Sequence, residues 1–242
     1  MSDRFYTPDP LTPGEILLDG PQAHHLATVR RFSTGDLVTL FNGDGYDYPA
    51  EVVSTDRKRA VLTVFPGQPT SRELPFRLEL AAAMPKGDRG DFLIEKLTEL
   101  GVTRFTPLQT ARSIVQPKEA RLDKLHQAVI EASKQCGRNV LMRVAPHTTW
   151  ARFRDTTDLP TVRVILHPPP PGTQPQTLTG LSTEAIRTRG IVFAVGPEGG
   201  FNGEEVAEGE AAGWIRVSLG PRILRVETAA IAAASWAAVL GK

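Results

Sequence analysis

Ile191-Val-Phe-Ala-Val195 runs into Gly196-Pro-Glu-Gly-Gly200, and Ile215-Arg-Val-Ser-Leu219 runs into Gly220-Pro-Arg222. Twice in the last quarter of the chain, an apolar stretch of strand length breaks into a Gly/Pro loop. Tight loops at strand ends are how an open α/β sheet builds a small-molecule site. One such loop reads as a sharp turn, whereas two placed alike on successive strands point to a ligand. Neither is a phosphate cradle, because the chain has no Gly-Lys-Ser/Thr of a Walker loop and no Gly-x-Gly-x-x-Gly. Glu198 inside the first loop, with Glu204 and Glu205 opening the next helix, puts carboxylates where a pyrophosphate needs bare backbone N–H groups. The ligand expected here is neutral or cationic where it meets the loop.

Working back toward the N-terminus, strands and helices alternate from Arg77 onward, the pattern of a mainly parallel sheet covered on both faces. Residues 78–84 form an apolar strand. Leu93, Ile94, Leu97 and Leu100 then mark one face of a helix that stops at Gly101, and residues 102–108 form the next strand. Leu122, Leu125, Val129, Ala132 and Cys136 stripe a second helix ending at Gly137. A third strand over residues 161–166 is ended by His167 and prolines 168–171. Asn202 caps the helix over 203–212, with Glu205 at the third position as in a capping box. The last helix, residues 227–240, is apolar on nearly every face. It is expected to be buried all round, either against its own sheet and a second subunit or as an ordinary core helix.

The first seventy residues read as short strands joined by turns. Residues 37–41 and 50–53 flank Asn42-Gly-Asp-Gly45, a hairpin signal, and residues 60–65 return after Thr55-Asp-Arg-Lys58. One short helix starts at Pro21 and sets Ala23, Leu26 and Val29 on one face. This describes a small β-barrel with little room for an enclosed ligand, hence an accessory binding role. Residues 66–75, with three prolines and a glycine, read as a linker. The domains expected are 1–72 and 73–242.

Composition narrows the class. Hydrophobic residues make up 40% and charged residues 23% of 242, as in an ordinary globular protein. The sequence shows no long apolar span, and Met1-Ser-Asp-Arg-Phe5 lacks a signal-peptide pattern, so a cytoplasmic protein is expected. A single cysteine, Cys136, excludes an internal disulfide and a cysteine-based zinc site, and no metal is expected. The net charge of +1 is unevenly spread. Residues 1–72 carry seven Lys/Arg against nine Asp/Glu, whereas residues 77–145 carry twelve against eight. A nucleic-acid partner would find its electrostatic footprint in the middle of the chain.

Leu166-His-Pro168, Gly196-Pro-Glu-Gly-Gly200 and Leu219-Gly-Pro-Arg-Ile-Leu-Arg-Val-Glu-Thr228 therefore carry the same punctuation at three strand ends, where a ligand crevice would form. With Arg4-Phe-Tyr6, His24-His-Leu26, Lys86-Gly87, Glu99-Leu-Gly-Val102 and Gln135-Cys-Gly-Arg-Asn139, this set resembles the SPOUT superfamily of knotted RNA methyltransferases. Within it, the set looks like the RsmE family, which methylates N3 of a uridine in 16S ribosomal RNA. The resemblance implies an α/β fold: a C-terminal SPOUT domain with a trefoil knot, preceded by a small PUA-like β-barrel. It implies S-adenosylmethionine as cofactor, a homodimer, and the small ribosomal subunit as partner. Carried over, the cofactor-binding residues are Leu166, His167, Gly196, Pro197, Glu198, Gly199, Gly200, Leu219, Gly220, Pro221, Ile223, Leu224 and Thr228. The alternatives are a SPOUT enzyme acting on a ribose 2′-oxygen of another RNA, or a non-catalytic RNA-binding protein of ribosome assembly.

N3 of uracil is protonated at neutral pH, so methyl transfer needs that proton removed or the charge developing on the ring stabilised. Arg225 is the candidate for charge stabilisation, since a guanidinium can hold a uracil carbonyl and a neighbouring phosphate. Glu227, the carboxylate of the last motif, is the other candidate for the catalytic set. A structural role, pairing with Arg222 or Arg225 or capping the last helix, is the stronger reading for it. For RNA contact the group is Arg4, His25, Arg30 and Arg31 in the first domain, with Lys86, Arg89, Arg112, Arg138 and Asn139 in the second.

Overall fold

The structure, a computed structural model, describes residues 3–56, 58–114, 119–170 and 172–241. Met1 and Ser2 of the start, Arg57 of the expected turn, Pro171 of the proline run and Lys242 lie outside the described residues. The chain divides into two units, residues 1–73 with 130–141, and residues 74–129 with 142–242. The inclusion of residues 130–141 in the first unit has no counterpart in the sequence expectation.

In the first unit β1 (Arg4–Tyr6), β2 (Gly14–Asp19), β3 (Leu37–Phe41), β4 (Tyr46–Thr55), β5 (Arg59–Val64) and β6 (Gln68–Pro69) form one sheet. Its order is β1-β3-β4-β5-β2, with β6 on β4. Period-two alternation turns Ala60, Leu62 and Val64 of β5 inward, onto a core shared with Phe5, Leu26 and Leu40. The hairpin between β3 and β4 forms where Asn42-Gly-Asp-Gly45 indicated. Asn42 Oδ1 accepts from Asp44 N–H at 3.1 Å and Asp44 Oδ1 from Tyr46 N–H at 2.9 Å, two side-chain turns in succession.

The short helix departs from its pattern. α1 (Gly20–His24) opens on Pro21 and continues as a π turn over His25–Val29. Ala23 and Leu26 are fully buried as their spacing requires, but Val29 is 60% exposed. The wider i→i+5 turn rotates Val29 off the stripe that 3.6 residues per turn would have kept in register.

Three residues expected to face RNA turn inward. The Arg138 guanidinium, 3% exposed, donates to both carboxylate oxygens of Glu73 at 2.9 and 2.5 Å. Asn139, fully buried, donates to the Gly45 carbonyl at 3.1 Å, the Thr70 carbonyl at 2.9 Å and Asp47 Oδ1 at 3.2 Å. Arg4 donates to Asp47 at 2.8 Å and lies 5.0 Å over the Phe41 ring. Burial works against the Asp47 charge, yet Arg4 and Arg72 hold its carboxyl below the usual range. A polar side chain that joins backbone carbonyls distant in sequence looks, in the sequence alone, like a surface contact.

The second unit holds a parallel sheet of β7 (Leu78–Ala82), β8 (Arg104–Gln109), β9 (Arg143–Val144), β10 (Thr148–Thr149), β11 (Val162–Leu166), β12 (Ile191–Val195) and β13 (Ile215–Val217). Its order is β10-β8-β7-β12-β11-β13, with β9 on β8. β7 and β12 are buried at every residue, as central strands of a parallel sheet covered on both faces must be. The helices are α2 (Arg89–Glu99), α3 (Glu119–Cys136, of which residues 130–136 belong to the first unit), α4 (Trp150–Arg154), α5 (Thr183–Arg189), α6 (Gly203–Ala211) and α7 (Val226–Val239). Ala81, Val192 and Ala194 turn to a cluster with Trp150, Phe153, Val206 and Trp214. Phe193 faces the other way, its ring 6.5 Å from that of Trp236 on α7.

Within the single chain α7 keeps one exposed flank. Ala230, Ala233, Ala234 and Ala237 are fully buried and let α7 approach the sheet and α2 closely. Ala232 is exposed, and Val239 is 65% exposed.

Replacing Asn139 by alanine removes an NH2 group whose two N–H donors are shared among three acceptors and is expected to destabilise the protein by about 2–3 kcal/mol in urea unfolding. A loss under about 0.5 kcal/mol would mean that the freed carbonyls find other partners.

Candidate functional site

Strand register brings the three loops together. Leu166, at the end of β11, is the partner of Val195 on β12 and of Val217 on β13. Three chain segments therefore leave the sheet side by side at one level. The ladder continues one residue further, with the His167 N–H bonded to the Val217 carbonyl at 3.0 Å. Ser218 then points its N–H the opposite way, to the Gln176 carbonyl at 2.9 Å, so β13 ends at Val217 and not at the expected Leu219.

The glycine loop after β12 is closed tightly. Gly200 N–H donates to the Pro197 carbonyl at 2.7 Å with Gly200 at φ 67°. A Cβ on Gly196 would stand 2.9 Å from the Phe201 nitrogen, leaving no room for a side chain. Two arginines hold this loop from outside. Arg112 donates to the Gly199 carbonyl at 2.6 Å, and Arg89 reaches Glu198 at 3.3 Å.

Between the loops lies a hollow of about 210 Å³, lined by residues 166–168, 195–200, 217–220, 222–224, 226 and 229. It gathers every residue expected to bind a cofactor except Pro221 and Thr228, which do not line it. Sequence reasoning missed Pro168, Val195, Val217, Ser218, Arg222, Val226 and Ala229 as lining residues. The two valines and Ser218 could have been found from the rule that the last residues of converging strands floor the crevice. A second hollow of about 360 Å³ adjoins it, sharing His167 and Ser218 and walled by Pro169, Pro170, residues 173–176, Glu210 and Arg216.

The electrostatics disfavour phosphate. At the start of α6 the capping box is complete: Asn202 Oδ1 accepts from Glu205 N–H at 2.7 Å, and Glu205 Oε2 accepts from Asn202 N–H at 2.9 Å. The helix N-terminus is thus occupied by the protein's own carboxylate and amide. Apolar Leu166, Val195, Leu219, Ile223 and Leu224 share the lining with His167, Ser218 and Arg222 and with Glu198 and the backbone of the glycine loop.

His167 has its Nδ1 buried with no protein partner, and burial, then Arg216 and Arg112, push its pKa below the ordinary histidine value against Glu210. Arg225 sits at the N-cap of α7 with extended backbone, its carbonyl accepting from the Ala229 N–H at 2.9 Å, and its exposed side chain makes no hydrogen bond or ion pair with a described residue. Glu227 is buried and pairs with neither Arg222 nor Arg225, nor does a side chain cap α7. Its Oε1 lies 3.3 Å from Arg89, and its Oε2 is buried without a partner. Arg89 thereby bridges Glu227 and Glu198, tying the start of α7 to the glycine loop.

Of the RNA-contact group, Arg4, Arg138 and Asn139 are committed to internal partners as described. Arg30 is paired with Asp3, and His25 is packed edge-on to Phe5. Arg31 and Lys86 are exposed, while Arg89 and Arg112 hold the glycine loop. Among the described residues no group of three or more His, Cys, Asp or Glu could hold a metal, and no helix is long and apolar enough to cross a membrane.

Comparison with known proteins bears on the same residues. Residues 72–238 match the model of an RNA methyltransferase domain, and residues 18–65 that of an RNA methyltransferase PUA domain. The chain is 31% identical to the ribosomal RNA small subunit methyltransferase E of Synechocystis over 92% of this chain and 72% of that protein. It is 29% identical to that of Bacillus subtilis over 90% and 87%. The crystal structure of the same enzyme from Neisseria gonorrhoeae, bound to S-adenosyl methionine, is 32% identical with a TM-score of 0.88, covering 99% of this chain and 98% of that one.

A histidine whose folded pKa lies below its unfolded one takes up a proton on unfolding, so stability falls as pH drops through the histidine range. The melting temperature is expected to fall between about pH 7 and pH 5, and by a few degrees less in His167→Gln, with His25 and His147 supplying the remainder. Identical pH profiles for the two proteins would contradict the buried, neutral state of His167.

Proposed function

We propose that this chain, which belongs to the RNA methyltransferase family and carries that family's PUA domain, transfers a methyl group from S-adenosylmethionine to N3 of a uridine in the 16S RNA of the small ribosomal subunit. The observation that carries the reading is the common level of Leu166, Val195 and Val217, which makes one pocket of three loops far apart in sequence. S-adenosylmethionine supplies an electrophilic methyl group on a positively charged sulfur.

The residues present fit such a donor. Apolar Leu166, Leu219 and Leu224 offer faces for adenine, the loops leave backbone amides for its edge and for ribose, and the acidic Glu198 suits a cation. A side chain at Gly196 would break the loop, and the capped α6 terminus turns away a phosphate. The RNA-side chemistry falls to Arg225. It follows Leu224 and precedes Val226, both lining the pocket, and its exposed guanidinium can hold the uracil carbonyl as charge develops on the ring. Glu227 does not line the pocket; through Arg89 it positions Glu198, and that structural part is assigned to it here. Flipping the base out of its stack is required for N3 to reach the donor.

Two finer points of architecture belong to the same reading. In a strand, successive residues point their N–H and C=O groups to opposite edges. Residues 167 and 176 bond Val217 and Ser218 from opposite edges, so the chain between them wraps the end of β13 before the polypeptide runs on to α7 beside α2. This supports a threaded, knotted topology. The register shift in β4 between Val52 and Ser54, an irregularity of the kind that lets a sheet curl, supports a barrel-like first domain. The exposed apolar Ala232, Val239 and Ile223 support pairing of two copies, in a cytoplasmic enzyme that meets ribosomal subunits there.

Incubation with labelled S-adenosylmethionine and undermethylated small subunits is expected to place the label on N3 of a uridine, read by mass spectrometry of nucleosides. Label on a ribose, or none despite donor binding, would overturn the assignment. Arg225→Ala is expected to lower turnover about 100-fold while donor affinity changes less than about 3-fold, and a matched loss of both would contradict its role. Sedimentation should report a dimer, shifted toward monomer by Val239→Glu; a wild-type monomer would remove the pairing.

A further inference from the structure

We propose that Arg31 grips the sugar–phosphate backbone of the substrate RNA, and that the chain keeps an arginine there at the expense of a better backbone fit. The proposal rests on the RNA methyltransferase reading and names the contact through which the PUA-matched segment would take hold.

Fourteen described residues have a left-handed φ; thirteen are glycines and the other is Arg31, at φ 57°. The reason for the conformation is local. Arg30 N–H closes back on the His25 carbonyl at 2.9 Å and Phe32 N–H on the Leu26 carbonyl at 3.1 Å. The second spans seven residues, one more than the 6→1 bond of a Schellman end, and Arg31, just before its N–H donor, takes the left-handed conformation that closes this widened helix end. Glycine is the usual occupant, because a Cβ is penalised there. Folding alone would choose glycine at position 31.

The surroundings say what the arginine is for. The helix end follows directly on the π turn His25–Val29, an irregularity frequent at functional sites. From residue 20 to residue 35 the chain has no Asp or Glu but has His24, His25, Arg30 and Arg31. Arg30 is engaged with Asp3 and lies 5.8 Å over the Phe32 ring. Arg31 is exposed and makes no hydrogen bond or ion pair with a described residue. With Arg4, Arg138 and Asn139 turned inward, Arg31 is the exposed cation left in the first unit from the group expected to touch RNA and not already paired. A lone exposed guanidinium suits a phosphodiester, which it can bind with two parallel N–H groups, better than a base edge needing further partners.

The experiment compares wild type, Arg31→Gly and Arg31→Lys for binding to undermethylated small subunits across a salt series, for donor affinity, and for melting temperature. For Arg31→Gly the expectation is a several-fold weaker subunit affinity and a slope of log affinity against log salt shallower by about 0.7 to 0.9. Donor affinity should be unchanged and the melting temperature equal or higher. Arg31→Lys should keep the wild-type salt slope. Unchanged subunit binding and salt slope in Arg31→Gly, with a wild type that methylates RNA, would overturn this inference alone. A lower melting temperature in Arg31→Gly would show that the arginine stabilises its turn and would equally overturn it. A wild type that neither binds nor methylates the subunit would instead bring down the functional reading beneath it.

Discussion

Everything in the second unit depends on the parallel register that sets Leu166 level with Val195 and Val217. Parallel strands place their C-terminal ends on one edge of the sheet, and equal levels on three neighbours make three loops leave from one line. Shifting one strand by a single residue would separate the loops and reverse the side-chain faces of that strand. The buried alternation of Ala81, Val192 and Ala194 against the tryptophan cluster, with Phe193 opposed to Trp236, locks that register. Core packing and pocket formation are in this sense one constraint.

Charge then decides what the pocket accepts. The α6 N-terminus, which in other folds draws phosphate, is closed by Asn202 and Glu205, and Glu205 also takes the Ala111 N–H at 2.7 Å. Glu198 adds an anion at the rim, held by Arg89, whose other contact is Glu227 at the start of α7. A carboxylate beside apolar Leu166, Leu219 and Leu224 and uncovered backbone suits a cationic nucleoside donor. The same arginine joins three elements that meet only in the folded chain.

Legibility in the sequence followed the range of the interaction. The hairpin at Asn42–Gly45, the box of Asn202 and Glu205 and the glycine loops were readable because each is set by residues within a few positions. Most of the pocket was readable for the same reason, since strand ends carry their punctuation with them. What could not be read was the partner of each charged group. Arg138 finds Glu73, Asn139 finds Gly45 and Thr70, and Glu227 finds Arg89, all across long stretches of chain. The π turn at His25–Val29 is hidden too, because periodicity assumes the ordinary helical step, which would keep the exposed Val29 on the buried face.

The central claim is that three separately encoded turns form a single donor pocket. The most direct test is backbone amide NMR during titration with S-adenosylmethionine. The account predicts that the amides of residues 166–167, 196 with 198–200, and 217–220 with 222–224 shift together along one binding curve. Shifts confined to a single loop, or centred on another part of the sheet, would contradict it.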